Sequence, residues 1–296
     1  MINFLFVLIL FFHLLLNAQE LTFLTHHIGP VPTSVGHAYV AGSKTDQSLY
    51  FNPAALSTLA KKQVSIYQFK IFDTQFLGSQ FVFPRLFYEI SLGLSYRLTS
   101  IGDLKESIFN DQQQLVYTGE TFSYSANLLT IGWSKNIYPS LFLGTSHVFL
   151  KENLSDESST GMIHQIGLFF TKSDYFDMGL TINQLFSYYH WSDGKKYSLS
   201  PIINLGFASK KLPFVSIYSD LIMVGLLTRP TLNLGIQFDY FKHYLLRCGI
   251  SNLFQKKRYH IGVGLLPTPF ELNLSYTALP EETQSQILKL SLRYSY

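Results

Sequence analysis

Side chains that could do chemistry are few and scattered in this sequence. Cys248 is the single cysteine, which excludes a disulfide within the chain and any cysteine-based zinc or iron–sulfur site. His26 and His27 are the one adjacent histidine pair, and no nearby carboxylate or cysteine completes a metal site around them. The glycine-rich phosphate loop, the Gly-x-Ser-x-Gly elbow and the His-Glu-x-x-His motif are all missing. We therefore predict that the protein is not an enzyme and has no catalytic residues, metal site or cofactor.

The composition predicts a folded chain with an unusually apolar surface. Of 296 residues, 47% are hydrophobic, 16% are aromatic and only 14% are charged, whereas a soluble domain carries about 25% charged residues. This hydrophobic content excludes a disordered chain. The net charge is +3, and the one basic cluster is Lys256-Lys257-Arg258, so nucleic acid is not an expected partner.

The first eighteen residues are almost wholly apolar and end in Asn17-Ala18 before the polar Gln19-Glu20. This pattern indicates a secretory signal peptide over residues 1–18, although no basic residue precedes the apolar run. The alternative is a single membrane anchor. Beyond residue 20, no apolar stretch is long and uninterrupted enough for a second membrane helix.

The strongest pattern is a strict alternation of apolar and polar residues. Over Phe270–Ala278 and again over Leu288–Tyr296, every second residue is apolar and its neighbours are polar. A period of two is typical of a β-strand whose two faces meet different environments. The polar rows contain glycines together with Arg97, Arg247, Lys289 and Arg293, which suits a watery or plugged interior better than a dry core.

Alternation of this kind recurs along most of the chain. It predicts fourteen strands near residues 62–71, 73–83, 86–99, 121–135, 139–152, 161–172, 175–187, 198–210, 213–222, 230–241, 243–253, 258–266, 269–278 and 286–296. Many of them reach the ~9–11 residues that cross a bilayer as tilted barrel strands. Short connections alternate with longer, polar ones at 100–120, 153–160, 188–197 and 279–285, as in outer-membrane barrels. We predict an all-β protein: a transmembrane antiparallel β-barrel of about 14 strands over residues 61–296.

Residues 19–60 do not alternate, and they are too apolar for a linker. The economical place for them is inside the barrel, as an N-terminal plug or hatch. Pro53 restricts the backbone, and the small Ala54 and Ala55 permit close packing against the wall. Asp46 is expected to accept hydrogen bonds from the backbone or from inward arginines such as Arg97 or Arg247, which are the candidate partners in the lumen.

One part of this segment resembles the start of FadL-like outer-membrane proteins. It is the run Gly36-His37-Ala38-Tyr39-Val40-Ala41, followed by Asp46, Ser48, Tyr50 and Asn52-Pro53-Ala54-Ala55-Leu56. The resemblance implies a fourteen-stranded barrel with a hatch that carries an Asn-Pro-Ala motif. A later stretch, Gly93-Leu94-Ser95-Tyr96-Arg97 with Ile101-Gly102-Asp103, resembles the PorV/PorQ proteins of type IX secretion more than the classical fatty-acid transporters. The plug-motif residues that the resemblance points to are Gly36, Asp46, Tyr50, Asn52, Pro53 and Ala54.

The chain ends in an alternating strand with Tyr294 and the terminal Tyr296. This end resembles the C-terminal aromatic signal that the barrel-assembly machinery reads in outer-membrane barrels. The expected location is the bacterial cell outer membrane, with outer-membrane lipid around the barrel.

Three functions remain open on the sequence. In the first, a plugged barrel of the PorV/PorQ type docks secreted proteins on its outer loops, chiefly residues 100–120. In the second, the barrel transports hydrophobic small molecules such as long-chain fatty acids past or with the hatch. The third is an exported soluble β-protein. The two membrane hypotheses share the barrel and differ in the partner, which is a secreted protein or a hydrophobic small-molecule ligand.

Overall fold

A computed structural model describes residues 29–109, 112–171, 175–225, 230–241, 243–278 and 286–296. The predicted signal peptide at 1–18 and the predicted connection at 279–285 lie outside these residues.

Antiparallel strands dominate the described part of the chain. The strands are β1 (Gln63–Ile71), β2 (Thr74–Phe87), β3 (Ile90–Phe109), β4 (Leu115–Tyr138), β5 (Leu141–Leu154), β6 (Glu157–Thr171), β7 (Phe176–Trp191), β8 (Lys196–Tyr197), β9 (Ile202–Leu212), β10 (Val215–Val224), β11 (Thr231–Phe241), β12 (Tyr244–Ser251), β13 (Arg258–Leu265), β14 (Phe270–Ala278) and β15 (Gln286–Ser295). Each strand pairs with its neighbours in sequence, except that β7 pairs with β9 and the two-residue β8 lies against β7 alone.

The sheet closes on itself because β1 pairs with β15 and β6 pairs with β7. Leaving out the two-residue β8, fourteen strands form the ring, which confirms the predicted antiparallel barrel. Closure removes the free edges of the sheet, so every strand in the wall can satisfy its backbone groups within the barrel.

The wall has an apolar outer face and a polar inner face. On β15, Lys289, Ser291 and Arg293 are buried, whereas Leu288 and Leu290 are 56% and 47% exposed. Buried charges and exposed leucines reverse the arrangement of a soluble protein. The alternating apolar rows therefore face lipid, as predicted, and the hypothesis of a soluble exported β-protein is wrong.

Helical structure in the described residues precedes the barrel. It comprises the helices α1 (Pro30–Ser34) and α2 (Ser48–Phe51) and the 3-10 helix at Pro53–Thr58. Among the described residues, none of the helices has the length and apolarity to cross a membrane.

Three predicted loops are largely strand, since the predicted connection at 188–197 contains the end of β7 and the whole of β8. Residues 100–120 form the outer part of a β3–β4 hairpin whose pairing continues to Phe109 and Leu115, and β5 and β6 leave only residues 155–156 between them. The side chains of both rows are largely exposed in the outer part of the β3–β4 hairpin. The two faces therefore do not differ in burial, and the sequence does not alternate there although the two backbones continue to pair. Periodicity therefore detects the lipid-facing part of a strand and misses its extension.

Both ends of the barrel sequence lie at the same rim. The backbone of Lys62 and that of the terminal Tyr296 exchange two hydrogen bonds of 3.1 Å. We call this rim the terminal rim. Its connections include the short turns at 88–89, 139–140 and 213–214, which is the arrangement of the periplasmic side in outer-membrane barrels.

Candidate functional site within the barrel

Residues 29–60, here called the inner segment, lie inside the barrel near the terminal rim. Helix α1 packs against β12 to β15, and the 3-10 helix packs against β2 to β6. Val35, Ala38, Leu49, Ala54 and Leu56 are fully buried. The inner segment therefore contacts opposite walls of the barrel at once.

A set of inward-facing glycines lets the wall approach the backbone and side chains of the inner segment. An ideal Cβ on Gly144 would lie 2.4 Å from the backbone nitrogen of Ala54, and one on Gly235 would lie 2.4 Å from the carbonyl oxygen of Val35. Such distances leave no room for a side chain. We call this set the glycine girdle: Gly93, Gly132, Gly144, Gly167, Gly179, Gly206, Gly235, Gly249 and Gly262.

Gly36, the first residue of the predicted motif, contacts this wall from the other side. Its φ is 66°, a region that favours glycine, and a Cβ built there would lie 2.7 Å from backbone atoms of Ile250 and Leu234. Glycine is therefore required at this position both for backbone conformation and for space.

Asn52, Pro53 and Ala54 connect the inner segment to itself and to the wall. The amide nitrogen Nδ2 of Asn52 donates to the carbonyl oxygens of Val40 and Leu168, at 3.2 and 3.0 Å. Its Oδ1 accepts from the backbone N–H of Ala54 at 3.2 Å and caps the 3-10 helix that Pro53 begins. The fully buried Asn52 thus uses both ends of its amide.

Tyr50, on helix α2, reaches two further strands. Its hydroxyl contacts the hydroxyl of Ser95 on β3. Its carbonyl oxygen accepts a 3.0 Å hydrogen bond from Nε2 of Gln165 on β6. Tyr50 therefore links the inner segment to widely separated parts of the wall.

Asp46 is held by an arginine other than the two predicted. Its Oδ1 lies 3.2 Å from Nη1 of Arg293 on β15, and Ser65 on the adjacent β1 also donates to its carboxylate. The expectation that Arg97 or Arg247 would be the partner is corrected to Arg293. All three side chains are inward and buried, and the choice among them depends on their height in the barrel, which alternation does not specify.

Arg247 is connected to the Asp46–Arg293 pair through Glu271. It donates to Gln237 and Asn273, both at 2.8 Å, and lies 3.7 Å from Glu271. Glu271 also binds Arg293. Arg97 lies on β3 opposite Leu128 of β4, farther along the barrel interior.

Asp220 is an anchor that sequence reasoning missed. Its Oδ2 accepts from the backbone N–H groups of Tyr39 and Val40 at 2.7 and 2.9 Å, and its side chain is buried. Two further polar contacts join Lys44 to Asp177 at 2.8 Å and Lys289 to Thr33 at 2.9 Å. The available signal was the position of Asp220 in the inward row of β10, within an otherwise apolar stretch.

Lys44 connects the inner segment to Asp177 on β7. Burial lowers the pKa of Lys44 below its usual value, although the bond to Asp177 acts in the opposite direction. The buried carboxylate of Asp177 also lies 3.3 Å from Lys210. The inner segment is therefore tied to β7 by a shared carboxylate rather than by an isolated pair.

Apolar side chains line the interior farther from the terminal rim. On β4, Ser134 contacts Ser57 of the inner segment at 2.6 Å, and Leu128 lies six residues away, or ~20 Å along the strand at 3.3 Å per residue. We call this group the outer apolar cluster. Its buried members are Ala126, Leu128, Leu150, Ile163, Tyr189 and Leu199, and Tyr124, Val148, Trp191 and Tyr197 pack against them.

Leu199 differs from the other members because it comes from the connection between β7 and β9. Its backbone N–H donates to Oγ of Ser187 at 2.8 Å, and the same hydroxyl donates to the carbonyl oxygen of Leu199 at 3.3 Å. The connection therefore folds inward and inserts an apolar side chain among those of the wall.

Tyr294 and Tyr296 lie on the outer face at the terminal rim. They are 38% and 52% exposed, and their rings stack with centroids 5.5 Å apart. This is an interfacial position for aromatic side chains. In the described part of the chain, no group of three or more histidines, cysteines and carboxylates is placed to hold a metal ion.

Solved structures resemble the chain over most of its length. The P. putida toluene transporter TodX gives a TM-score of 0.63 at 14% identity, covering 92% of this chain and 98% of that structure. The Ralstonia pickettii toluene transporter TbuX gives 0.67 at 11% identity, covering 93% and 100%. A Pseudomonas aeruginosa FadL homologue gives 0.57 at 11% identity, covering 90% and 98%.

No protein-family model and no curated protein matches the sequence. At 11–14% identity these structures show a common fold, and substrate and partner do not follow from it. The apolar outer face and the closed wall require a membrane. The chain therefore has the FadL-like fold, a fourteen-stranded barrel of the bacterial outer membrane.

Proposed function

We propose that this barrel carries hydrophobic small molecules through the outer membrane, with the inner segment acting as a plug. The observation that carries the proposal is the outer apolar cluster, which brings apolar side chains of β4 to β7 together with Leu199 on the inner face of the barrel. The FadL-like fold supports it, since TodX and TbuX are described as toluene transporters.

In this proposal a solute binds at the outer apolar cluster when the side chain of Leu199 moves aside. Binding is driven by removal of apolar surface from water, at roughly 25 cal/mol per Å². Leu199 is the member best placed to move because it lies outside the regular wall, and its position depends on the hydrogen bonds to Ser187.

Toluene binding to the purified protein in detergent tests the proposal. The protein contains two tryptophans. Replacing the lipid-facing Trp133 by Phe leaves Trp191, at the cluster, as the fluorescent reporter. Toluene should change the Trp191 emission in a saturable way, and the absence of a saturable response would contradict the proposal.

Leu199→Ala should strengthen toluene binding about threefold or more, because an apolar space lined by aliphatic and aromatic side chains binds small aromatic molecules without a displacement cost. The matched control is Leu205→Ala on the lipid-facing side of β9, which should leave the affinity unchanged. Weaker binding to Leu199→Ala would place the solute elsewhere.

A second candidate function is docking of secreted proteins, as in the PorV/PorQ proteins. The β3–β4 hairpin favours it, because its end is rich in exposed apolar side chains. These are Ile108, Phe109, Leu115, Val116 and Tyr117. Replacing residues 104–121 by a short Gly/Ser turn should abolish cross-linking to a secreted partner while toluene binding persists. Retained cross-linking would exclude the hairpin as the docking element.

Two further partners belong to the proposal. Outer-membrane lipid surrounds the apolar outer face, and the barrel-assembly machinery reads the C-terminal strand with Tyr294 and Tyr296. The exposure of both rings at the terminal rim supports this second role.

A further inference from the structure

A buried carboxylate borders the outer apolar cluster. Glu152 lies on β5 directly opposite Ala126 of β4, and it is 1% exposed. Its Oε1 accepts a 2.6 Å hydrogen bond from the hydroxyl of Tyr124, and its Oε2 accepts a 2.7 Å hydrogen bond from Oγ of Ser159. The apolar cluster therefore has a hydrogen-bond acceptor at its border.

This carboxylate keeps the capacity to accept more hydrogen bonds. A carboxylate offers about four lone-pair positions, and Tyr124 and Ser159 account for two of them. Aromatic rings stand close by: Tyr189 and Trp191 meet edge to face with centroids 6.0 Å apart, and the indole N–H of Trp191 donates to the hydroxyl of Tyr189 at 3.0 Å.

Charges on neighbouring strands set the electrostatic character of the cluster. Arg97 on β3 is 1% exposed and lies directly opposite Leu128, a member of the cluster. On β15, the buried Lys289 lies 4.6 Å from the ring centroid of Phe69. Glu152 is hydrogen-bonded to Tyr124, a residue that packs directly on the cluster, so a carboxylate and a guanidinium both border this site.

We propose that Glu152 selects the class of solute at the outer apolar cluster: uncharged aromatic molecules with a hydroxyl group bind, and aromatic carboxylates are rejected. The inference rests on the proposed function of the cluster. A phenolic O–H donates to the free acceptor positions of Glu152, whereas an anionic ligand faces like-charge repulsion in a poorly screened site.

Three molecules with the same methylphenyl body test this selection: toluene, p-cresol and p-toluate. Binding is followed by Trp191 fluorescence at neutral pH in the Trp133→Phe protein. We expect p-cresol to bind about tenfold more tightly than p-toluate, or more, because a site built to hydrogen-bond a hydroxyl discriminates strongly. Equal affinity for p-cresol and p-toluate overturns the inference.

Two substitutions of Glu152 separate the effect of its negative charge from the effect of its side-chain length. Glu152→Gln should raise p-toluate affinity about tenfold, because the repulsion of like charges disappears. Glu152→Asp keeps the charge and shortens the reach, so p-toluate should remain excluded while p-cresol binding weakens. The heat-dependent gel shift of a closed barrel checks that each variant is folded.

Matched controls distinguish this inference from the function it rests on. Glu106→Gln, on the exposed hairpin, should leave all three affinities unchanged. If Arg97→Gln rather than Glu152→Gln alters p-toluate binding, the carboxylate is recognised by Arg97 and the inference is wrong. If toluene, p-cresol and p-toluate all fail to bind the unmodified protein, the proposed function of the cluster fails as well.

Discussion

At the scale of single residues, the barrel interior depends on two kinds of positions. Glycines in the girdle leave space for the backbone of the inner segment, and buried polar side chains satisfy that backbone. Gly144 is an example of a glycine that leaves space, and Asp220 is an example of a buried polar side chain that accepts from the backbone. A substitution at either position tests how the inner segment is held.

Gly144→Ala should destabilise the folded barrel. The added methyl group meets the backbone nitrogen of Ala54 at 2.4 Å, and such overpacking costs about 1–3 kcal/mol. Thermal unfolding in detergent, followed by the gel shift, measures the loss. Gly102→Ala is the control, since open space surrounds Gly102, and an equal loss in both variants would show that the effect is unrelated to the inner segment.

Asp220→Ala should loosen the inner segment without opening the wall. The backbone N–H groups of Tyr39 and Val40 lose their acceptor, and each buried unsatisfied group costs about 1–3 kcal/mol. Limited proteolysis should then cleave near Val40 faster than in the unmodified protein. Asp239→Ala, near the end of β11 where the side chain is exposed, should cleave at the original rate. Unchanged cleavage in Asp220→Ala would mean that other contacts suffice.

At the scale of elements, the inner segment is joined to the wall by contacts with several strands rather than by a single contact. Asn52, Asp46 and Lys44 reach β6, β15 and β7, respectively. We expect such a segment to stay in place while a solute passes, because no single contact controls it. The movable element in this description is the connection that carries Leu199.

Deleting residues 30–58 should raise the ionic conductance of the barrel in planar bilayers, because the deleted residues occupy the interior near the terminal rim. The fourteen-stranded wall does not include them, so the variant should still show the heat-dependent gel shift. A folded variant with unchanged conductance would refute the role of the inner segment as a plug.

At the scale of the whole molecule, the protein presents apolar side chains to lipid and encloses its charges. Lys289 and Leu290 are neighbours in sequence, yet the lysine is buried and the leucine is 47% exposed. The polar interior is filled by the inner segment near one rim and by the outer apolar cluster farther along. This arrangement explains the 14% charged content: few charges are needed on an exterior that meets lipid.

Leu290→Arg should prevent stable insertion, since a charge on the lipid face near the membrane midplane costs about 2–4 kcal/mol. Folding into lipid vesicles, measured by the gel shift and by urea titration, should show the loss. Leu290→Phe keeps an apolar side chain and should fold normally. Normal folding of Leu290→Arg would mean that this face does not contact lipid.

Much of the architecture was predictable from local pattern. The barrel strands were placed to within a few residues at most positions, because the period of two is a property of consecutive residues. The strands β3 and β4 were predicted too short. Their outer parts are held by pairing with each other, and such pairing leaves no alternation in the sequence.

The contacts of the site were less predictable. The motif residues Asn52 and Gly36 were identified through their resemblance to known barrels, and Asp46 was expected to meet an arginine. Its partner Arg293 lies almost 250 residues away in sequence, and Asp220 was not predicted to contact the inner segment. The inward rows of β10 and β15 contain Asp220 and Arg293, but no local pattern identifies their partners, because each contact joins the inner segment to a distant strand.

The sequence by itself determined which residues face lipid and which face inward, because alternation within one strand already separates the two environments. Only the tertiary structure decided which inward residues lie at the same height, that is, at the same position along the barrel axis. That height depends on the stagger between paired strands around a closed ring, and a ring of fourteen strands brings together residues such as Asp46 and Arg293 that no local pattern connects.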